Sequence, residues 1–271
     1  MNTPNETFGA FGTQLFDLCG RRAIVSGGAG ELGLALVEVL HRCGAEVVIL
    51  DASAKTAETA ATAATAGRLH EAGRPVHGIQ IDLADRSQAG RAFDEAVDRM
   101  GGLDILVNAA GIQRRSAAID FSEQDWDDVL AVNLSATFFL CQRAARILLP
   151  QRRGKIVNIA SMTSFVGMKF VSAYAASKAG VMQLTKALSN EWAGDGVQVN
   201  AIAPGYFKTR MNAAYFEPAN AELYRGITQR IPAARWGEPS DLQGALVFLA
   251  SSASDYVSGV TLPVDGGFLG R

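Results

Sequence analysis

Cysteine and histidine are scarce in this 271-residue chain, with three of each: Cys19, Cys43 and Cys141, and His41, His70 and His77. Neither set has metal-ligand spacing, and three scattered thiols cannot staple a small secreted fold, so no metal site and no disulfide framework are expected. Charge is also thin. Charged residues make up 19% and the formal net charge is −2, which leaves no basic field for nucleic acid or an anionic membrane. No apolar run reaches the length of a membrane span. Residues 1–12 lack the charged start and apolar stretch of a secretory signal. These absences point to small-molecule chemistry in the cytoplasm, with a loose arm over 1–14 ahead of one domain at 15–271.

Apolar residues are plentiful instead, at 48%, enough to fill one large core. They form short runs at 23–25, 47–50, 76–81, 105–107, 156–159, 197–202 and 261–264. Longer amphipathic stretches alternate with them at 34–43, 54–72, 85–100, 122–149, 173–193 and 241–249. The 122–149 stretch is long enough to break in two. The short runs are apolar on both sides of a pleat, as strands are when helices cover both faces of a parallel sheet. No linker or change of composition interrupts the alternation. The expected fold is a single α/β domain, doubly wound and Rossmann-type, with a parallel seven-stranded sheet and helices on both faces. Residues 206–232 are the least regular and carry Tyr206, Phe207, Tyr215, Phe216 and Tyr224 among polar residues. Such a segment reads as a substrate lid or as helices packed on the core, and the two are compatible.

Gly28-Ala29-Gly30-Glu31-Leu32-Gly33 follows the first strand and opens the first helix. G-x-G-x-x-G in that setting lets the backbone turn tightly and approach a pyrophosphate, with the free N–H groups of the helix start at hand. Asp51 ends the second strand, 18 residues past Gly33. A carboxylate there accepts both hydroxyls of an adenosine ribose and repels a 2′-phosphate, so NAD is expected rather than NADP; its plainer role is a helix N-cap. Asp82-Leu83, after the third strand, is placed to meet the adenine. Asn108-Ala109-Ala110-Gly111, after the fourth, brings small residues against the cofactor. Either stretch alone is ordinary turn chemistry.

Tyr174 and Lys178 are four apart and share one face of the long helix at 173–193. An ammonium beside a phenol favours the phenolate, and so does the positive nicotinamide, so Tyr174 is expected to be lowered toward working pH and to serve as a general acid or base. Alone, such a pair is common surface decoration. Its company strengthens it: Ser161, 13 residues earlier and just past a strand, can hold a substrate oxygen beside the phenol. Asn133, in a helix, can hold a water near Lys178. Pro204-Gly205 follows the sixth strand, and Thr209 comes four residues later, where backbone and hydroxyl can grip the nicotinamide carboxamide.

Taken together, Ser26-Gly27 to Gly33, Asp51, Asp82, Asn108 to Gly111, Asn133, Ser161, Tyr174, Lys178 and Pro204-Gly205 with Thr209 resemble the short-chain dehydrogenase/reductase family in order and spacing from about residue 15 onward. The resemblance implies that Tyr174 is the catalytic acid/base and that Lys178 holds the nicotinamide ribose and lowers the phenol. It implies that Ser161 orients substrate and that Asn133 supports a proton relay through water. It also implies a homotetramer paired through the long helices after the fourth and fifth strands. Two positions depart from the family pattern. In T-G-x-x-x-G-x-G, Glu31 stands where the middle glycine belongs, and in N-N-A-G, Ala109 replaces the second Asn. A carboxylate suits a helix start but repels a pyrophosphate, so Glu31 is expected to point to solvent.

The stretches 111–115, 121–126 and 230–237 are similar to the members of the family that act on sugar acids, which implies a sugar-acid substrate. A sugar acid needs a cation for its carboxylate, and arginine offers a two-pronged one. Arg114 and Arg115, beside Gln113, follow the fourth strand at the carboxyl end of the sheet, where ligands bind; Arg210 and Lys169 are alternatives. The plainer role for each is a solvated surface charge. Two other functions compete: a reductase of another carbonyl compound, such as a 3-oxoacyl thioester or a polyol, and a non-catalytic NAD-binding sensor, which only Glu31 favours.

Overall fold

The computed structural model describes residues 14–65 and 75–270. All but the last position of the expected N-terminal arm, the end of the 54–72 helix and His70 lie outside the described residues. Seven strands form one sheet: β1 (Arg22–Ser26), β2 (Glu46–Asp51), β3 (Val76–Gln80), β4 (Ile105–Asn108), β5 (Gly154–Ile159), β6 (Val197–Pro204) and β7 (Thr261–Val264). Their order is β3-β2-β1-β4-β5-β6-β7, and every pairing is parallel. The chain leaves β1 for β2 on one side and returns to β4 on the other. The strand order reverses at β1, so a crevice opens there at the carboxyl ends of the strands.

Helices α1 (Glu31–Arg42), α2 (Thr56–Thr65), α3 (Arg86–Met100), α4 (Glu123–Leu130), α5 (Ala136–Gln151), α6 (Ser172–Trp192), α7 (Ala221–Gln229) and α8 (Gln243–Ala250) carry the crossovers and the C-terminal part. Alternate residues of each strand feed two separate cores. Val25, Ile49 and Val107 pack with Leu36 and Leu40 of α1 and Leu246 of α8. Ile24, Val48 and Leu106 pack with Phe93 of α3, Leu140 of α5 and Leu188 of α6. This two-sided burial is why the strands read as unbroken apolar runs. The expected break within 122–149 is a π-helical turn, Ala131–Ser135, that joins α4 to α5 without a loop. Its wider turn re-aims one side chain, Asn133, and such insertions recur at functional sites.

Candidate active site

The crevice at β1 is a cleft of about 460 Å³ whose walls include Gly27, Gly33, Asp51, Asp82, Gly111 and Thr209. Its floor is a close approach of two backbones. Gly27 has φ +72, and a Cβ there would stand 2.5 Å from Ala110 Cα; a Cβ on Gly33 would stand 2.0 Å from the Gly27 carbonyl oxygen. Any larger residue would force the two backbones apart. No side chain caps the start of α1, so the N–H groups of its first turn are left for a ligand. Leu32, Leu83, Gly30 and Ala109 also line the cleft.

Asp51 is not a helix cap. Its Oδ2 accepts from the Ala29 N–H at 2.9 Å and its Oδ1 from the Ser53 N–H at 2.8 Å, which fixes the carboxylate on the cleft wall. Asp82 accepts from the Ala84 N–H at 2.9 Å and shares the same wall.

Five further residues expected at the cofactor make packing contacts beside the cleft. Ser26 is buried and its hydroxyl lies 3.5 Å from the Ala110 N–H. A Cβ on Gly28 would meet Ile49 and Val37, so this glycine seats α1 on the sheet. Asn108 turns away from the cleft and donates to Asn158 Oδ1 at 2.9 Å, in a buried chain that continues from Asn158 to Thr185. Pro204 is the buried end of β6, and Gly205 is small because Asp265 Cα passes within 2.7 Å of where its Cβ would be. Sequence reasoning missed Val132, Met211 and Ser53, all on the wall. Spacing carries no signal for them, because tertiary packing alone brings them to the wall.

The second cluster sits at the carboxyl end of β5. Ser161 follows that strand, and its Oγ accepts from the Thr163 N–H at 3.1 Å. Tyr174 is near enough to Ser161 for that hydroxyl to favour the phenolate. One turn along α6, Lys178 is only 3% exposed; its Nζ donates to the Ile159 carbonyl at 2.6 Å and lies 5.9 Å from the Tyr174 ring centre. A Cβ on Gly111 would stand 3.4 Å from Lys178 Nζ, so this cluster abuts the wall of the cleft.

Electrostatics here correct the expected lowering of the phenol. Burial pushes Tyr174 above its ordinary value, and the Ser161 hydroxyl works the other way. Burial also pushes Lys178 down, to about 8. One of the ammonium hydrogens goes to the Ile159 carbonyl.

Asn133 is fully buried. Its Nδ2 donates to the Ile112 carbonyl and to Ser177 Oγ, both at 3.0 Å, while its Oδ1 accepts from the Ile112 N–H at 2.8 Å. Ser177 in turn donates to the Tyr174 carbonyl at 2.8 Å. Both amide hydrogens are committed, so Asn133 braces the Gly111-Ile112 loop against α6.

The four candidate cations part company. Arg115 lies over the Tyr215 ring at 4.9 Å, donates to its hydroxyl at 2.5 Å and reaches Gln113 at 3.2 Å. Arg114 turns outward to Asp125 at 3.1 Å. Arg210 is at the cleft mouth, with Nε 3.6 Å from Glu31. Lys169 is exposed. Glu31 does not simply point to solvent, because its Oε2 accepts from the Arg210 N–H at 2.7 Å.

Residues 206–232 pack as two 3₁₀ turns, Arg210–Phe216 and Pro218–Asn220, followed by α7. They close on Trp236, which is 1% exposed and touched by Tyr206 and Tyr215 at ring separations of 4.9 and 5.6 Å. Tyr224 stacks on it at 5.3 Å, and its Nε1 donates to Thr228 at 3.0 Å. Met162, next to Ser161, belongs to the same cluster. Trp236 was not foreseen as a site residue; a tryptophan just past the aromatic-rich segment was the available signal.

Among the described residues, no helix is long and apolar enough to cross a membrane, and no group of three metal-ligating side chains forms.

The profile of the family described as Enoyl-(Acyl carrier protein) reductase matches residues 27–269. The 2-dehydro-3-deoxy-D-gluconate 5-dehydrogenase of Escherichia coli (strain K12) is 44% identical over 257 residues, covering 94% of this chain and 98% of that protein. A crystal structure from Agrobacterium tumefaciens, described as a candidate 2-deoxy-D-gluconate 3-dehydrogenase with bound NADP, is 47% identical with a TM-score of 0.86, covering 95% of this chain and 99% of the other. A gluconate 5-dehydrogenase from Burkholderia cenocepacia J2315, in complex with NADP and tartrate, is 40% identical with a TM-score of 0.86, covering 96% and 99%.

Proposed function

The chain belongs to the short-chain dehydrogenase/reductase family, and on that premise we propose that it is an NAD-dependent oxidoreductase interconverting a secondary alcohol and a ketone on a sugar acid such as gluconate or 2-dehydro-3-deoxy-D-gluconate. The observation that carries this is the placement of buried Lys178 one turn along α6 from Tyr174, with its Nζ 5.9 Å from the centre of the phenol ring and beside Gly111 on the cleft wall.

A glycine cradle that a single Cβ would fill, with a carboxylate fixed on its wall, fits a nicotinamide dinucleotide. The first turn of α1 would hold the pyrophosphate, Asp51 the adenosine ribose, Asp82 and Leu83 the adenine, Lys178 and Tyr174 the second ribose, and Thr209 the carboxamide. The cofactor, when bound, supplies the hydride acceptor or donor. Tyr174 takes the proton of the substrate hydroxyl during oxidation and returns it during reduction. Ser161 Oγ fixes the same substrate oxygen. Lys178, an ammonium below pH about 8, supplies the nearby positive charge that a phenolate needs. Arg115, turned toward the aromatic cluster, meets the substrate carboxylate, with Gln113 steadying it. Residues 206–232 act as the lid over that substrate, and 15–271 as the catalytic domain. We place the enzyme in the cytoplasm as a homotetramer.

NAD is favoured because the cleft wall carries three carboxylates, Glu31, Asp51 and Asp82, against one guanidinium, Arg210, among the described residues. A 2′-phosphate adds about two negative charges to that wall, although both solved relatives named above hold NADP. A sensor without catalysis has little reason to keep Ser161, Tyr174 and Lys178 assembled.

The test is NAD(P)H absorbance with sugar acids, polyols and 3-oxoacyl thioesters, each run with both cofactors. Turnover is expected with a sugar acid and a higher kcat/KM for NAD. Asp51→Ala should weaken NAD and narrow the gap to NADP. Turnover confined to thioesters contradicts the substrate assignment, and a wild-type preference for NADP contradicts the role of Asp51. Binding of cofactor with no turnover of any substrate would leave the sensor as the better account.

A further inference from the structure

We propose that Glu31 is a positioning residue that straps the start of the lid to the cofactor loop and thereby slows release of the dinucleotide. This rests on the nicotinamide reading of the cleft. Glu31 is the first residue of α1, on one lip of the cleft, and Arg210 opens the 3₁₀ turn Arg210–Phe216 on the other. The two are 179 positions apart in the chain, and the Arg210 N–H donates to Glu31 Oε2 at 2.7 Å. No side chain of Thr209 caps that turn, so a carboxylate from across the cleft takes its first free N–H group. The cap comes from the opposite wall, and breaking it frees the segment Thr209–Arg210–Met211 that lines the cleft.

The two contacts differ in weight. The Arg210 side chain is 94% exposed and its Nε lies 3.6 Å from Glu31 Oε1, so water and salt screen that ion pair. The N–H···carboxylate bond is short and charge-assisted, and it is the stronger of the two. A carboxylate at this position has an opposite expectation as well. If its main effect were repulsion of the pyrophosphate, removing it would tighten cofactor binding. The strap requires the reverse sign.

The experiment is stopped-flow release and equilibrium binding of NADH, followed by its fluorescence, on wild type, Glu31→Gly, Glu31→Gln and Arg210→Ala, with NADPH in parallel. Glu31→Gly, which restores the family's residue, should raise the release rate about tenfold by loss of a charge-assisted bond. Glu31→Gln keeps an acceptor and should raise it by no more than about threefold, a rescue that a merely structural role for the backbone would not produce. Arg210→Ala keeps the N–H and should stay within about twofold of wild type. In steady state, the KM for cofactor should rise in Glu31→Gly while the KM for the sugar acid holds. Release from Glu31→Gly that is unchanged or slower than wild type overturns the strap. Wild-type protein that binds neither dinucleotide overturns the cofactor reading itself.

Discussion

Tyr174→Phe should lower kcat by about 10²–10⁴-fold, the contribution of a positioned general acid or base, while NADH still binds. The substitution keeps the aromatic ring in its buried place and deletes only the hydroxyl near Ser161. Lys178 keeps its bond to the Ile159 carbonyl, and the glycine cradle is not touched, so the cleft should stay in shape. What is lost is the group that takes and returns the substrate proton. Each tenfold loss of rate corresponds to about 1.4 kcal/mol of transition-state stabilisation, so the expected loss is about 3–5 kcal/mol, beyond a small disturbance of geometry. Steady-state rates together with NADH fluorescence titration separate the two effects. A variant retaining more than about a tenth of the wild-type rate, well short of the loss general acid–base catalysis leads one to expect, assigns the proton to another group.

Trp236→Ala should cost about 3–5 kcal/mol of stability, as truncation of a buried aromatic does. Trp236 is 1% exposed and lies at the centre of a cluster that includes Tyr206, Tyr215, Phe216 and Tyr224. Its removal leaves a cavity and takes the donor from Thr228 of α7. Because Arg115 rests on Tyr215, the cation proposed for the substrate carboxylate loses its support as well. The KM for the sugar acid should rise more than the KM for cofactor. Chemical denaturation measures the first effect and initial rates the second. A loss of stability below about 1 kcal/mol, typical of an ordinary surface substitution, contradicts the view that this side chain holds the lid in place.

The fold was legible because both faces of the sheet are buried. That forces near-continuous apolar runs such as Val47 to Leu50, and the runs stand out from the amphipathic helices between them. Tyr174, Lys178 and Ser161 were legible because a helical spacing and a strand end place them by local geometry alone. The direction in which a strand-end side chain turns was not. Asn108 sits at the expected position but bonds inward to Asn158, since an inward-facing amide finds a buried partner there. Asn133 was placed in a helix correctly, but the π turn that aims it at the Ile112 backbone has no signature in the spacing. Glu31 was flagged as a departure, but its partner lies 179 positions away, beyond any local pattern. The sorting of Arg114 from Arg115 was hidden for the same reason. Neighbours in sequence, they meet Asp125 and Tyr215 respectively, and only tertiary packing decides between those partners.

Tyr174 and Lys178 as one proton-handling unit is the central claim, and the pH dependence of kcat/KM for alcohol oxidation tests it most directly. Oxidation needs a base, so the active form has lost one proton. Burial holds the phenol above its ordinary value and brings Lys178 down to about 8. Loss of one proton from the pair leaves either phenol beside amine or phenolate beside ammonium, and the second is the working base. The oxidative kcat/KM should climb with pH across the neutral-to-alkaline range, and the reductive kcat/KM should fall across the same range. A profile that stays flat across the neutral-to-alkaline range, or that falls for oxidation, contradicts the assignment.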